Sequence, residues 1–304
     1  MKITEPGIYR DFDVRAYHDD PAPEPSLSQS IAKILLDQSP LHAAVAHPRL
    51  MMQQADEEEN AEKYVKARAI GDAAHALMIG RGKDLAICQA DSWRSDKAKD
   101  MRAGAEAAGH TPILHKHYLT ASIIAEHART YLADHEERDC FLEGAGEVAL
   151  IWQEGRLWFR CLVDWLHDDL RAVEDFKTTE LSVADHNLGR IAANAGWHIQ
   201  AAMIERGLNA LDPAGAGRRK IRFVAQEQSP PYALNVMLMT EAWLTMGRKM
   251  LDMAVHRWAI CTENNTWPAY GKTALTPEFP GWTERAILDR ELANEPAPNV
   301  LMAG

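Results

Sequence analysis

Between Glu147 and Lys177 the chain carries three successive strand-like runs, EVALIWQ (147–153), RLWFRCLVDWL (156–166) and RAVEDFK (171–177). Only short polar turns such as EG and HDDL join them, which leaves no room for a crossover, so the runs predict an antiparallel meander. Helical periodicity surrounds them. Upstream, SLSQSIAKILLDQSP offers a Ser N-cap, apolar residues at helical spacing and a Pro stop. AEKYVKARAIGDAAHALMI (61–79) is an Ala-rich helix, and 95–108 and 117–134 are two more. Downstream, a long helix is expected from Val183 to Leu211, then a break at DPAGAGRRK, two strands (IRFVAQEQ and YALNVMLM) and a helix over 240–262. This order predicts an α+β fold, a central mixed sheet flanked by helices, in which the helical crossover lets the fourth strand lie parallel. The N-terminal helical region is expected to close over the sheet.

With 304 residues, 46% hydrophobic and 25% charged, the chain is long enough for a sizeable core and has the composition of a soluble globular protein. No window approaches the roughly 18 consecutive apolar residues of a membrane span. The start, MKITEPGIYRDFDV, carries acids and no apolar core, so a secretory signal is not expected. Cys88, Cys140, Cys161 and Cys261 are far apart and predict reduced thiols in a cytoplasmic protein. The net charge of −11 argues against nonspecific coating of nucleic acid, which needs clustered Lys and Arg. It leaves room for an enzyme that gathers carboxylates around a cation. The run RRK at 218–220 and the pair Arg248/Lys249 are candidate basic tracks, equally readable as solvated surface.

Side chains on a strand alternate faces, so Asp175 and Lys177 in EDFK share one side and Glu174 and Phe176 the other. Asp164 closes the apolar run LWFRCLVDW and by alternation shares a face with Arg160 and Leu162. A carboxylate there costs several kcal/mol unless it is paired or binds a metal. Two such Asp residues and a Lys form a natural site for a hard cation such as Mg²⁺. A lone DxK is common and often only a surface ion pair. What sharpens it is the ordered set of His75 on a preceding helix, Glu147, Asp164, Asp175–Lys177, and Gln200 in the following helix. Gln200 interrupts an apolar stripe of Ala193, Trp197, Ile204 and Leu208, and a buried amide needs partners.

GDAAH (71–75), GEVALIW (146–152), RCLVDWL (160–166), EDFKTT (174–179) and WHIQAAM (197–203) resemble, in order and spacing, the motifs of the RecE-type exonucleases (exodeoxyribonuclease VIII). That family belongs with the RecB-type nuclease domains and lambda exonuclease in the PD-(D/E)xK superfamily. YHDDPAPEPSLSQSIAKILLDQSP and WPAYG (267–271) resemble its N-terminal and C-terminal motifs, so the likeness spans residues 10–271. The resemblance implies His75, Asp164, Asp175 and the Phe176 carbonyl as metal ligands. It implies Lys177 as the group that orients the attacking water, Glu147 as support for a metal-bound water, and Gln200 as the residue that holds Lys177 or the water in line. It further implies two Mg²⁺ ions, for which Mn²⁺ can substitute, and 5′-to-3′ digestion from double-stranded DNA ends. A single-strand annealing partner and a trimeric or tetrameric ring are implied as well. Ile204 departs from the pattern, which places a Tyr there. Rival readings are a single-strand exonuclease or endonuclease on the same fold, and a non-catalytic DNA-end-binding protein.

Arg160, on the Asp164 face, is a candidate DNA contact. His115, His117, His42 and His47 suggest zinc only weakly, because no Cys pairing accompanies them. Three Cys precede Lys177 and only Cys261 follows it, which does not match the pattern of relatives that hold an iron–sulfur cluster, so none is expected. Trp152, Trp158 and Trp197 are expected in the core. The expected organisation is an arm and first helix over 1–60, a nuclease domain over 61–271 that includes them in one catalytic unit, and a tail over 272–304. The arm is loop-like with room for one short strand, DEEEN (56–60) is a charged loop, and the tail is weakly patterned.

Overall fold

The computed structural model of the protein describes residues 3–50, 62–82 and 84–294; the acidic run 56–60 lies outside them. Contacts divide the chain into Met1–Ala269 and Tyr270–Gly304. In the first unit the meander forms as its turns predict: β5 (Gly144–Glu154), β6 (Leu157–His167) and β7 (Ala172–Thr179) pair antiparallel in chain order. The crossover helices then return β8 (Lys220–Glu227) parallel to β7, and β9 (Leu234–Leu238) pairs antiparallel with β8. The N-terminal arm supplies two more strands. β1 (Gly7–Tyr9) extends the sheet antiparallel to β5, and β2 (Ser26–Ser28) runs parallel to β6. The central sheet is therefore mixed and seven-stranded.

Helices cover both faces, and each face has its own apolar cluster. On one side α2 (Gln29–Asp37), α8 (Trp197–Leu211) and α9 (Glu241–Asn264) meet Leu150, Phe159, Val173 and Phe223 in the main core. Trp152 stacks on Phe159 at 5.2 Å and Trp197 on Phe223 at 5.0 Å, each pair adding about 0.5–1.5 kcal/mol to the burial itself. Trp152, Trp158 and Trp197 are all buried, as expected. On the other side α4 (Glu62–Ile79) and α6 (His115–Ala133) pack on Phe176 and Val224.

Several elements differ from the sequence expectation for identifiable reasons. Helix α2 stops at Asp37, ahead of Pro40 as expected, but Pro40 also opens a further helix, α3 (Pro40–Ala46), capped by Ser39, at the first position where its missing N–H costs nothing. The helix expected over 183–211 is two helices, α7 (Asp185–Ala195) and α8, broken at Gly196, whose φ of 75° glycine adopts without the Cβ penalty. Helix α1 (Val14–His18) and a small parallel sheet of β3 (Leu85–Cys88) and β4 (Thr111–Leu114) around α5 (Asp96–Ala107) were not apparent from the pattern. The second unit holds a helix, α10 (Gly281–Asn294), where a weakly patterned tail was expected. Among the described residues no helix is long and apolar enough to cross a membrane, and all four cysteines are free and buried.

Candidate active site

Strands β6 and β7 pair only at Trp165–Glu174 and Leu166–Val173 before they separate, and further along β6 its partner is β2. The separation starts at Asp164 and Asp175. Strict alternation would set Val163 and Leu166 on opposite faces, yet both pack in the main core. The alternation is thus interrupted at Asp164, and its carboxylate turns into the gap. There its Oδ2 accepts the Phe176 N–H at 2.9 Å, taking the place of the ladder acceptor that β7 loses.

The other members reach the gap from both faces. Asp175 and Lys177 lie together, as the DxK spacing predicts, with Lys177 Nζ 2.5 Å from Asp175 Oδ1. From α8, Gln200 donates its Nε2 hydrogen bond to Asp175 Oδ2, so its partner is the carboxylate and not Lys177. From α4, His75 stands between two acids, Nε2 3.0 Å from Asp164 and Nδ1 3.5 Å from Glu147. Glu147 is opposite Asp164 on β5 and holds φ at 54°, a left-handed conformation that costs a non-glycine residue about 1–2 kcal/mol. Its Oε2 is buried with no hydrogen-bond partner.

Charges crowd here. Burial pushes the Glu147 carboxyl up to about 7, with Asp164 and Asp175 adding and His75 opposing. Burial and the Asp164 charge likewise raise Asp175 to about 6 against Lys177. Asp164 is held below the usual range despite burial, by His75, Lys177 and the Phe176 amide. Burial disfavours a charge on His75, but Asp164, Glu147 and Asp175 outweigh it and push His75 up to about 9. Burial also works against Lys177, yet Asp175 and Asp164 raise its pKa.

Three carboxylates around one gap, one of them with an orphaned buried oxygen, fit a hard divalent cation, which prefers oxygen donors and neutralises their repulsion. Asp164, Asp175 and Glu147 bring oxygen donors to the gap, and because the N–H and C=O of one strand residue point to the same side, the Phe176 N–H bonded to Asp164 implies that its carbonyl faces the gap as well. Among the described residues no three acidic, His or Cys side chains already form a metal cage. The cations His75 and Lys177 compensate the acids instead. As a ligand His75 would have to be neutral, and in the present arrangement both its nitrogens face carboxylates.

Arg160 is not part of the cluster. It is buried, its Nη1 is 3.1 Å from Asp20 and it donates to the Ser26 carbonyl and hydroxyl at 2.8 and 2.7 Å, so it ties the N-terminal arm to β6. In the candidate basic tracks three residues are engaged: Arg219 pairs with Asp212, Lys220 with Glu137 at 3.5 Å, and Arg248 with Glu205 and Glu241. Ile204 is fully buried in the main core. Sequence reasoning missed a second polar cluster, in which the fully buried Arg222 binds Glu174, Asp139 and Glu137, and His167 bonds Glu174 at 3.0 Å. It fixes the last β6–β7 pair before the gap. The only sequence signal was Glu174 and Arg222, two charges inside apolar strands.

Residues 50–276 match the family described as "PDDEXK-like domain of unknown function (DUF3799)". Among solved structures, a candidate exonuclease from Eubacterium rectale superposes with a TM-score of 0.57 at 12% identity, covering 94% of this chain and 99% of that one. That likeness supports the fold. An alkaline exonuclease from Laribacter hongkongensis, also 12% identical, covers 67% of this chain and 96% of its own length with a TM-score of 0.24, too loose to bear on either fold or function. No curated protein matches the sequence.

Proposed function

This chain belongs to the PDDEXK-like family, and from that membership we propose that it is a metal-dependent nuclease that hydrolyses phosphodiester bonds in DNA. The observation that carries the reading is the gap between β6 and β7, where Asp164, Asp175 and Lys177 converge and Glu147 keeps a buried carboxylate oxygen unpartnered. Nucleases with such a core typically use divalent metal ions, and here Asp164, Asp175 and the Phe176 carbonyl, with His75 once neutral, would hold one or two Mg²⁺ or Mn²⁺ ions. A bound ion supplies Lewis acidity toward a phosphate oxygen and lowers the pKa of a bound water.

The chain's own residues do the remaining work. Lys177 presents an ammonium to the phosphate and to the charge that develops on it, and its Asp175 partner keeps it protonated. Gln200 fixes Asp175 from beneath, so the carboxylate does not rotate away. Glu147, whose buried Oε2 has no hydrogen-bond partner, would support a metal-bound water. His75 holds Asp164 and Glu147 in place until the site is loaded.

The finer reading is of the RecE type: 5′-to-3′ digestion from double-stranded DNA ends, leaving a 3′ strand for an annealing protein, with the subunits in a trimeric or tetrameric ring. The motif order from GDAAH to WHIQAAM supports it. Incubation of linear and closed circular duplex with and without Mg²⁺ tests it. Degradation of the linear form alone, and only with the ion, is expected. Cleavage of the circle would favour an endonuclease, and no cleavage of either would overturn the nuclease reading.

A further inference from the structure

Beside the catalytic cluster a cavity of about 560 Å³ lies between α4 and the end of β7; His75, Lys177, Arg68, Thr178 and Gln228 line it, and the carboxylates of Asp72 and Glu180 share its wall. We propose that this cavity seats the phosphodiester backbone of the reacting strand, with Arg68 and Thr178 holding a phosphate within about three nucleotides of the cut. The proposal rests on the nuclease reading and adds the direction in which the strand leaves the site.

Helical spacing sets the path. His75, Gly71 and Arg68 share one face of α4, and seven residues at 1.5 Å per residue put Arg68 about 10 Å from His75 along the axis, near three nucleotides at 3.4 Å each. Arg68 is available. Its side chain is 83% exposed and only 3.9 Å from Asp72 at closest, an exposed pair that contributes little. By contrast Arg206, Arg219, Arg222 and Arg248 are each held by carboxylates at 2.5–2.7 Å. The opposite wall is set in advance. Gln228 Nε2 donates to the Ala67 carbonyl at 3.0 Å and to Thr178 Oγ1 at 2.8 Å, which pins α4 to the end of β7. Because Thr178 accepts that bond, its own hydroxyl proton is left to donate to an anion. The Arg68 guanidinium on α4 and the Thr178 hydroxyl on the face of β7 that meets α4 form a pair of donors on opposite walls, suited to one backbone phosphate. In a chain of net charge −11, such a local pair is where backbone affinity has to come from.

The test pairs residue with phosphate. Linear duplex oligonucleotides are prepared with a single uncharged methylphosphonate at successive positions, and KM and kcat are measured for wild type, Arg68→Ala, Arg68→Lys and Thr178→Val. For wild type, one position within about three nucleotides of the cut should raise KM about tenfold, the loss of one charge-assisted contact. Arg68→Ala should raise KM on the all-phosphate duplex by a similar factor, lower the salt slope of binding by about one and be insensitive to the methylphosphonate at that position. Arg68→Lys should recover part of the loss. Arg68→Ala with unchanged KM, or with full sensitivity at every position, overturns the proposal while the nuclease reading stands. Wild type inert toward every duplex overturns that reading, and the subsite with it.

Discussion

Asp164 and Asp175 face one gap, and in metal-free protein their mutual repulsion is measurable. Asp175→Asn should abolish cleavage and eliminate Mn²⁺ binding by calorimetry, while leaving the metal-free protein as stable as wild type or more so, because the raised pKa of Asp175 marks its charge as unfavourable there. Full activity in that variant would remove Asp175 from the site. Lys177→Met separates electrostatics from ligation. An ammonium cannot bind a cation, so Mn²⁺ affinity should hold while the rate falls by two or more orders of magnitude. A large loss of Mn²⁺ affinity with a modest rate loss would show that Lys177 supports the metal. Asp175, Lys177 and Asp164 were legible in the sequence because charged residues inside apolar strands are rare and need a reason. The orientation of Asp164 was not, since an interrupted alternation leaves no mark in residue types. Arg160 was misleading for the same reason: nothing local announces its partner Asp20, 140 residues away in sequence.

At the scale of elements, the close approach of α4 to β7 positions His75. A Cβ on Gly71 would lie 2.8 Å from Thr178 Oγ1. Alanine is about 1 kcal/mol better than glycine in a helix interior, so an exposed position would gain stability from Gly71→Ala. Here the contact should reverse the sign and lower the melting temperature, and adding Thr178→Ala should recover most of the loss. A single Gly71→Ala that melts higher than wild type would show that α4 moves freely over β7. The meander, the crossover and the parallel β7–β8 pair were readable, since short turns and long apolar runs leave few topologies. The α7–α8 break was hidden, because Gly196 sits inside a pattern that continues helically on both sides. Of the three-residue strands β1 and β2 only one was anticipated, and neither could be placed, being too short for a period to register.

For the whole molecule, proton binding at the site predicts how stability depends on pH without metal. Glu147 and Asp175, raised to about 7 and about 6, bind more protons folded than unfolded, so stability falls as pH rises from about 4 through 7. His75, raised to about 9, contributes stability that is complete below its unfolded value near 6.5 and is lost as pH climbs through 9. Both act in one direction. The chelated protein should melt at lower temperature at pH 9 than at pH 5, and Glu147→Gln should shrink the part of the fall below pH 7. Equal falls in the variant and wild type would place the titrating groups elsewhere. Assembly is the other property at this scale. Net charge −11 gives little Coulombic hold on DNA, so a ring that encircles the duplex is the proposed source of processivity. Light scattering at micromolar concentration, with a challenge by excess unlabelled DNA during digestion, checks it. A trimer or tetramer that resists the challenge is expected, and a monomer that resists it contradicts the ring.

If the gap between β6 and β7 hydrolyses DNA with a divalent ion, acid-soluble nucleotides are released from linear duplex there and nowhere else. That release is followed for wild type and Asp175→Asn side by side, with Mg²⁺ and with chelator. Release by wild type with Mg²⁺ alone, and none by the variant, is predicted. Equal release by both proteins, or release that persists in chelator, would contradict it.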